Sequence, residues 1–399
     1  MRPVCSSFPA RWAVAPRRSI GSSAPNTCAV SPPVTRRPPP AGLLARPAPA
    51  AAALVGLTLL DEARAACGRL DAPDDSEALH DFRVALRRLR TLLRSFRPEL
   101  GRAVAKKLQR RLRDATRATS AGRDAEVQLA WVRTHRPERG RRSGPGVPWL
   151  LTRLEDRQNR AYADIRQEIP PEFRQIERRV RRGLNATLVD PSPTAPPFAA
   201  ATGRLLREQT AMLEQELETA RSTRDQDAVH AARIAVKRLR YLLEPIADER
   251  PPRAGALVEL LKRLQNVLGE LHDLQVLLAE LGVAVAEAAA ERARHLHAAA
   301  LAGTPGRRPA KRTGPRPASA GLLALARFAG RLHDDLFRRL DAEWAGEPLA
   351  TLTQDLRGFA DDLVAAVVPP PRLPPPRRTR VHPARSRARP GAAEPQRHR

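Results

Sequence analysis

The feature that most restricts the fold is a segment that occurs twice. His80-Asp-Phe-Arg83-Val-Ala-Leu-Arg87-Arg88-Leu-Arg90 is matched by His230-Ala-Ala-Arg233-Ile-Ala-Val-Lys237-Arg238-Leu-Arg240, every position offset by 150. The segments that follow match at an offset of 149. Arg113 falls opposite Lys262, and Arg123-Asp124-Ala-Glu-Val127 falls opposite His272-Asp273-Leu-Gln-Val276. Two matches in the same order at nearly one offset mark an internal duplication.

Placed on a helix at ~100° per residue, His80, Arg83, Arg87, Arg90 and Arg94 fall within roughly 80° of arc. Phe82, Ala85, Leu86, Leu89, Leu93 and Phe96 gather on the other side. In the second copy His230, Arg233, Lys237 and Arg240 form the cationic stripe, with Tyr241 on the same side, opposite Val236, Leu239, Leu243 and Ile246. Each helix therefore buries one face and aligns cations on the other. At ~1.5 Å rise per residue the row from position 80 to 90 is about 15 Å long. Like charges one turn apart destabilise a bare helix, and a surface built for stability intersperses acids. Between Asp81 and Glu99 there is no acid at all. An acid-free row repeated in register, each copy headed by a His, points to an anionic ligand.

The rest of the chain reads as helices. Aromatic content is 4% against 42% hydrophobic residues, many of them Ala and Leu, and no stretch alternates with period two. The fold class expected is all-α, two pseudo-symmetric helical bundles from a tandem repeat. Predicted helices cover 51–70, 76–96, 99–119, 123–136, 148–168 and 171–188, then 198–221, 225–246, 254–269, 272–300, 320–342 and 349–367, separated by Pro and Gly clusters. The domain boundaries that follow are 51–190 and 198–367. Residues 1–50 carry seven Arg, no acid and several Pro runs, and read as a disordered basic arm rather than a transit peptide. Residues 369–399, with nine Arg against Glu394, read as a second basic tail.

The net charge is +27, and without the two tails about +12 remains on the helical part. This favours a polyanionic partner. The positive charge is nearly all Arg, with Lys only at 106, 107, 237, 262 and 311; Arg suits paired hydrogen bonds to phosphate, though a GC-rich genome produces the same bias. Cys5, Cys28 and Cys67 form no metal-binding or disulfide pattern, so a reducing, cytoplasmic setting is expected. No apolar run reaches the roughly 18 residues of a membrane span. Single-stranded nucleic-acid binders add aromatic stacking platforms, which this chain scarcely offers. A polymer of phosphates needs none, so inorganic polyphosphate is the expected ligand, while the two tails can hold nucleic acid nonspecifically.

At these residues the sequence resembles the CHAD (conserved histidine α-helical domain) family. Its hallmarks are a His-x-x-Arg-[Val/Ile]-x-x-[Arg/Lys]-Arg-Leu-Arg helix and a following Leu/Arg-rich helix leading to an Arg-Asp-x-x-Val-like motif, both present twice. Here they are His80 to Arg90 with Arg123 to Val127, and His230 to Tyr241 with Leu264 to Val276, over roughly residues 50–367. The resemblance implies two bundles related by pseudo-two-fold symmetry, both basic faces turned to a shared groove, polyphosphate binding and association with polyphosphate granules. Two features depart from the pattern: the first copy has Ser120 where the second has Gly269, and His272 stands where an Arg is expected, so Arg123 and His272 should contribute unequally. Many relatives carry a catalytic triphosphate-tunnel domain with a Glu-x-Glu-x-Lys signature. Glu214-Gln-Glu216-Leu-Glu218 lacks the Lys, and the chain reads as a stand-alone binding domain.

The candidate binding residues are His80, Arg83, Arg87, Arg90, Arg113 and Arg123 from the first copy. His230, Arg233, Lys237, Arg240, Tyr241, Lys262 and His272 come from the second. Arg88 and Arg238, about 80° round their helices, are expected on the rim. No catalytic residue, metal or cofactor is expected. Asp124 and Asp273 read as structural acids that orient a neighbouring Arg or cap a helix. The catalytic alternative is a metal-dependent phosphohydrolase of the HD type, suggested by Leu-His-Asp triplets at 79–81, 271–273 and 332–334; a cationic site headed by His80 disfavours a divalent metal. A nonspecific nucleic-acid binder is the other alternative. A phosphate beside His80 or His230 would raise their pKa values and favour the charged form.

Overall fold

A computed structural model of the chain describes residues 41–365 apart from 73, 74, 76, 102, 136–144, 190–193, 224, 251 and 302–316. The basic-arm reading of residues 1–40 and the basic-tail reading of 369–399 lie outside the described residues. The elements are α1 (Ala48–Gly68), α2 (Ala78–Ser95), a short α3 (Arg97–Leu100), α4 (Lys106–Ala118), α5 (Ser120–His135) and α6 (Gly146–Val189). They continue with α7 (Phe198–Thr223), α8 (Gln226–Leu243), a 3₁₀ turn at Glu244–Ile246, α9 (Arg253–Leu301), α10 (Ala318–Trp344) and α11 (Glu347–Ala365). The fold is all-α: the described residues contain no strand, only an isolated bridge between Pro47 and Pro197. None of these helices is long and apolar enough to cross a membrane.

Four boundaries differ from the sequence reading, the first at 99–119, where the chain turns at Gly101 (φ 54°) and α4 begins only at Lys106. Residues 41–50, expected to be part of a disordered arm, belong to the folded body. Leu43 is fully buried, the Leu43 and Leu44 amides donate to the Glu249 carboxylate, and Phe198 N donates to Arg46 O at 2.8 Å. Pro47 and Pro49 do not prevent this, because the first turn of a helix has no amide partners to lose. The helices expected at 148–168 and 171–188 are one, α6, which runs through Pro170 and Pro171. Ile165, Ile169, Phe173 and Ile176 are all buried and keep one apolar stripe continuous, while Pro171 faces solvent, where water can satisfy freed carbonyls. The helices expected at 254–269 and 272–300 likewise merge into α9. Gly269 alone does not stop a helix whose flanking Leu268, Leu271 and Leu274 are buried.

The stripe predicted to be apolar on α2 is buried throughout, with Phe82, Ala85, Leu86, Leu89, Leu93 and Phe96 at 3% exposure or less. Phe82 meets Phe173 of α6 edge-on at 5.1 Å, and Phe96 stacks on Phe198 of α7 at 4.9 Å. Each such side chain contributes about 1.5–3 kcal/mol by burial. Helix α1 packs on α2 and α6, α7 packs on α8 and α11, and α2 crosses α8. Buried residues from α1 through α11 form one continuous cluster. With their apolar faces committed to it, α2 and α8 turn their cationic faces outward from the core.

Gly183 of α6 lies where an added Cβ would sit 1.9 Å from the Ala103 carbonyl oxygen, whereas Gly282 of α9 has open space around it. Gly183→Ala should destabilise the fold by about 3 kcal/mol through overpacking. Gly282→Ala should stabilise it by about 0.5–1 kcal/mol through helix propensity. Urea unfolding followed by circular dichroism measures both; equal effects would show that the α6 approach to the 101–105 segment is not tight.

Candidate anion-binding cleft

Helices α2, α4, α5, α7, α8 and α9 enclose a cleft of about 1830 Å³. From α2 come His80, Arg83, Arg87, Arg90 and Arg94, and from α8 His230, Arg233, Lys237, Arg238, Arg240 and Tyr241. Helix α4 adds Lys106, Arg110 and Arg113, and α5 adds Arg123 and Asp124. Helix α9 lines its side with Gln265, Asn266, Glu270, His272 and Asp273 and contributes no Lys or Arg. The first copy thus supplies most of the charge, and the second supplies more amide, imidazole and carboxylate groups.

Arg83 is a built-in member of the wall. It is 8% exposed, and its Nη1 donates to Thr119 Oγ1 at 2.7 Å and Thr116 O at 3.1 Å, with Ser120 Oγ at 3.3 Å. It therefore caps the C-terminal end of α4 and joins it to α5, where a cation is favoured by the helix dipole. Burial, and then the neighbouring Arg87, push its pKa down to about 10, which leaves it charged at neutral pH.

Arg87, Arg90, Arg94, Arg233 and Lys237 have no carboxylate within ion-pair distance among the described residues, and the buried Nε of Arg233 has no hydrogen-bond partner there. Lys237 is 8% exposed, and burial together with Arg233, Arg87 and Arg240 holds its ammonium down to about 6, against a smaller opposing pull from Asp273. Desolvation and Arg123 lower His80; desolvation, Arg233 and Lys237 lower His230. His272 packs against His230 at 5.1 Å between ring centres, and burial, then Arg233 and His230, bring it to about 4. His272 is therefore neutral at pH 7, and His80 and His230 are shifted toward the neutral form. Asp124 is pushed upward by burial while Arg83, Arg157 and Arg233 pull it down, which fits an acid that orients guanidiniums.

Two residues expected at the site lie outside the cleft. Arg88 was expected on the rim. It is instead 8% exposed and donates from Nε to Glu244 Oε2 at 2.9 Å, with Glu62 at 3.4 Å, so it ties α2 to the end of α8 and to α1. Its guanidinium lies 5.8 Å from the Tyr241 ring centre, and that of Arg240 lies 5.1 Å away; Arg240 Nε also sits 3.0 Å from Glu244 Oε1. Lys262 points away and pairs with Glu259 at 2.6 Å. Arg238, the repeat partner of Arg88, does face the cleft. There it donates to Gln209 at 3.4 Å and is opposed by Arg94. By the offset of 150, Arg94 is the partner of Glu244. One position pair is thus an ion pair on one side of the α2/α8 crossing and a like-charge pair on the other.

Arg113 lines the cleft and stays exposed beside Asp114, and Arg123 is held by Glu126 at 2.6 Å. The structure adds Lys106 and Arg110, which with Arg113 form an i, i+4, i+7 row legible from spacing. It also adds Arg204 of α7, held by Glu99 and Glu208, which no sequence pattern marks. Of the three Leu-His-Asp triplets, those at 79–81 and 271–273 bring their His to the cleft, while His333 packs against Phe337 of its own helix. No group of three or more His, Cys, Asp or Glu with metal-binding geometry occurs among the described residues.

Fold and site together define an all-helical protein with a long cationic cleft suited to linear or multiply charged anions. The CHAD domain family profile matches residues 57–282, more than half of the chain, and the protein belongs to that family. Among solved structures, the CHAD domain from the plant Ricinus communis is similar with a TM-score of 0.50 at 20% identity, over 81% of this chain and 97% of that one. PptA from Streptomyces chartreusis aligns with a TM-score of 0.44 at 18% identity, over 71% of this chain and 98% of that one. No curated protein matches the sequence.

The depressed Lys237 has a consequence for stability. The unfolded lysine keeps its ordinary pKa near ~10.4, so above about pH 6 the unfolded state binds more protons than the folded one. Its destabilising effect is greatest below pH 6 and fades as pH rises toward 10. Lys237→Met should therefore raise the melting temperature of the ligand-free protein most at low pH, and flatten the rise in stability between pH 6 and 9 by up to about 1.4 kcal/mol per pH unit. Parallel curves for the two proteins in thermal unfolding across that range would contradict it.

Proposed function

We propose that this protein binds inorganic polyphosphate in the cleft between α2, α4 and α8, without a catalytic step. The observation that carries the reading is the set of four guanidiniums, Arg87, Arg90, Arg94 and Arg233, that face the cleft beside the Lys237 amine without a carboxylate partner among the described residues. Arg87, Arg90 and Arg233 are half-buried while Arg94 is exposed, and removing a charge from water without a partner is costly unless an anion arrives. Guanidiniums offer paired hydrogen bonds to phosphate oxygens, and the row along α2 continues onto α4, which suits an extended chain. Tyr241 alone of the lining residues is Tyr, Phe or Trp, so base stacking has little to work with. Family membership agrees with this choice of ligand. The reading puts the protein on polyphosphate granules in the cytoplasm, where the ligand is stored.

The deciding experiment is a titration with long-chain polyphosphate at fixed salt. Arg87→Gln/Arg90→Gln/Lys237→Gln should lose at least about 100-fold in affinity, since hydrogen bonds to charged groups are worth about 1.5–3 kcal/mol each. An unchanged affinity in a folded variant would defeat the proposal. Single-stranded RNA at equal phosphate concentration should fail to displace the polymer, and release of phosphate upon adding a divalent metal would favour a phosphohydrolase instead.

Binding should also take up protons. An anion in the cleft raises the pKa values of His80, His230, His272 and Lys237 from their depressed positions, so the complex holds more protons than its separated parts. Affinity should then fall as pH rises from 6 to 8.5, by up to about tenfold per unit for each proton taken up. A flat profile over that range would rule out the coupling.

A further inference from the structure

We propose that Lys237 is a self-acylation site, whose amine takes an acyl group from acyl phosphates drawn into the cleft. The placement carries the idea. Lys237 sits in the wall of an anion-attracting cleft with Arg233 one turn before it, Arg240 one turn after it and Arg87 facing it from α2. Asp273, His272 and His230 complete its surroundings from α9 and the head of α8. Among the described residues no hydrogen bond or ion pair occupies its Nζ, in contrast to Lys262, whose Nζ is 2.6 Å from Glu259. Every other cation lining α2, α5, α7 or α8 is Arg, which does not act as a nucleophile.

Burial first, and then the crowding guanidiniums, hold the amine's pKa down to about 6 and leave it largely unprotonated at neutral pH. A lysine desolvated beside other cationic groups is an activated nucleophile. A small acyl phosphate brings its own anionic handle, and the guanidiniums of Arg87 and Arg233 are placed to receive it. In the step itself the Nζ lone pair attacks the acyl carbon. The bond from that carbon to the phosphate oxygen breaks, and its electron pair leaves with the phosphate. The proton shed by nitrogen ends on the departing phosphate, so the products are an amide and hydrogen phosphate. The amide cannot be protonated, so acylation removes the amine that would take up a proton and become cationic beside a bound anion. The consequence that acylated protein holds polyphosphate more weakly rests on the function proposed above; the acylation itself does not.

The test incubates the full chain with acetyl phosphate at pH 7.5 and follows acetylation at each lysine by peptide mass spectrometry. Lys237 should react at least about tenfold faster than Lys106, Lys107 and Lys262; a rate no higher than theirs overturns the proposal. Acetic anhydride, which lacks a phosphate, should show a smaller preference for Lys237, and an equal preference would overturn the part assigned to the cleft cations. Long-chain polyphosphate in excess should protect Lys237 and leave Lys262 unaffected. Fast labelling that polyphosphate does not slow would uphold the acylation site and count against polyphosphate as the cleft's ligand. Slow labelling of a protein that binds polyphosphate tightly would do the reverse.

Discussion

Arg87 of α2 and Arg233 of α8 repel one another across the cleft and disfavour the charged form of Lys237 between them, and the surrounding structure holds them in place against that repulsion. Opposing it is the apolar face of each helix. Phe82, Leu86, Leu89 and Leu93 on α2 and Val236, Leu239 and Leu243 on α8 are buried in a core shared by all the long helices. Their burial fixes which way the cationic faces point, since α2 cannot rotate without exposing them. The polar supports are local. Arg83 closes the end of α4, and Arg88 with Glu62 and Glu244 secures the crossing from behind. Holding these charges together costs stability, and on the proposed function that cost is offset when an anion binds.

The two copies of the motif do not contribute alike. Helix α4 breaks at Thr119 before α5 begins, and Arg83 fills that break with hydrogen bonds. The corresponding stretch of the second copy is continuous within α9 and presents Gln265, Asn266 and His272. The electrostatic pull on a ligand therefore comes mainly from the side of α2 and α4. The opposite side adds Arg233, Arg238 and Arg240 from α8, but its α9 wall offers amide, imidazole and carboxylate groups in place of cations, beside a lysine whose charge depends on what is bound near it.

Much of this was legible in the residues. The period of the apolar positions on α2 gave the buried face, and the duplicated motif located the helices that line the cleft. What failed was legible only in three dimensions. Arg88 and Arg238 occupy equivalent places on a helical wheel, and nothing local distinguishes them; only the arrival of Glu62 and Glu244 from elsewhere in the chain makes Arg88 a strut. Arg204 joins the site because α7 crosses near α3, a contact with no signature in its own neighbourhood. The prolines of α6 misled for a related reason. A local rule against prolines inside helices was outweighed by tertiary burial of Ile165, Ile169, Phe173 and Ile176.

The unequal sides of the α2/α8 crossing bear on how such a protein could have arisen from a single half. On one side Arg88 meets Glu244, and on the other Arg238 meets Arg94, the residues at matching places in the two halves. Two first halves assembled as a symmetric dimer would set arginine against arginine on both sides. Two second halves would set Arg238 against Glu244 on both sides and pin the crossing shut twice. Only the mixed pair gives one side that is fastened and one that stands open toward α7. With that division of labour in place the two halves are no longer interchangeable, because neither half alone encodes both sides.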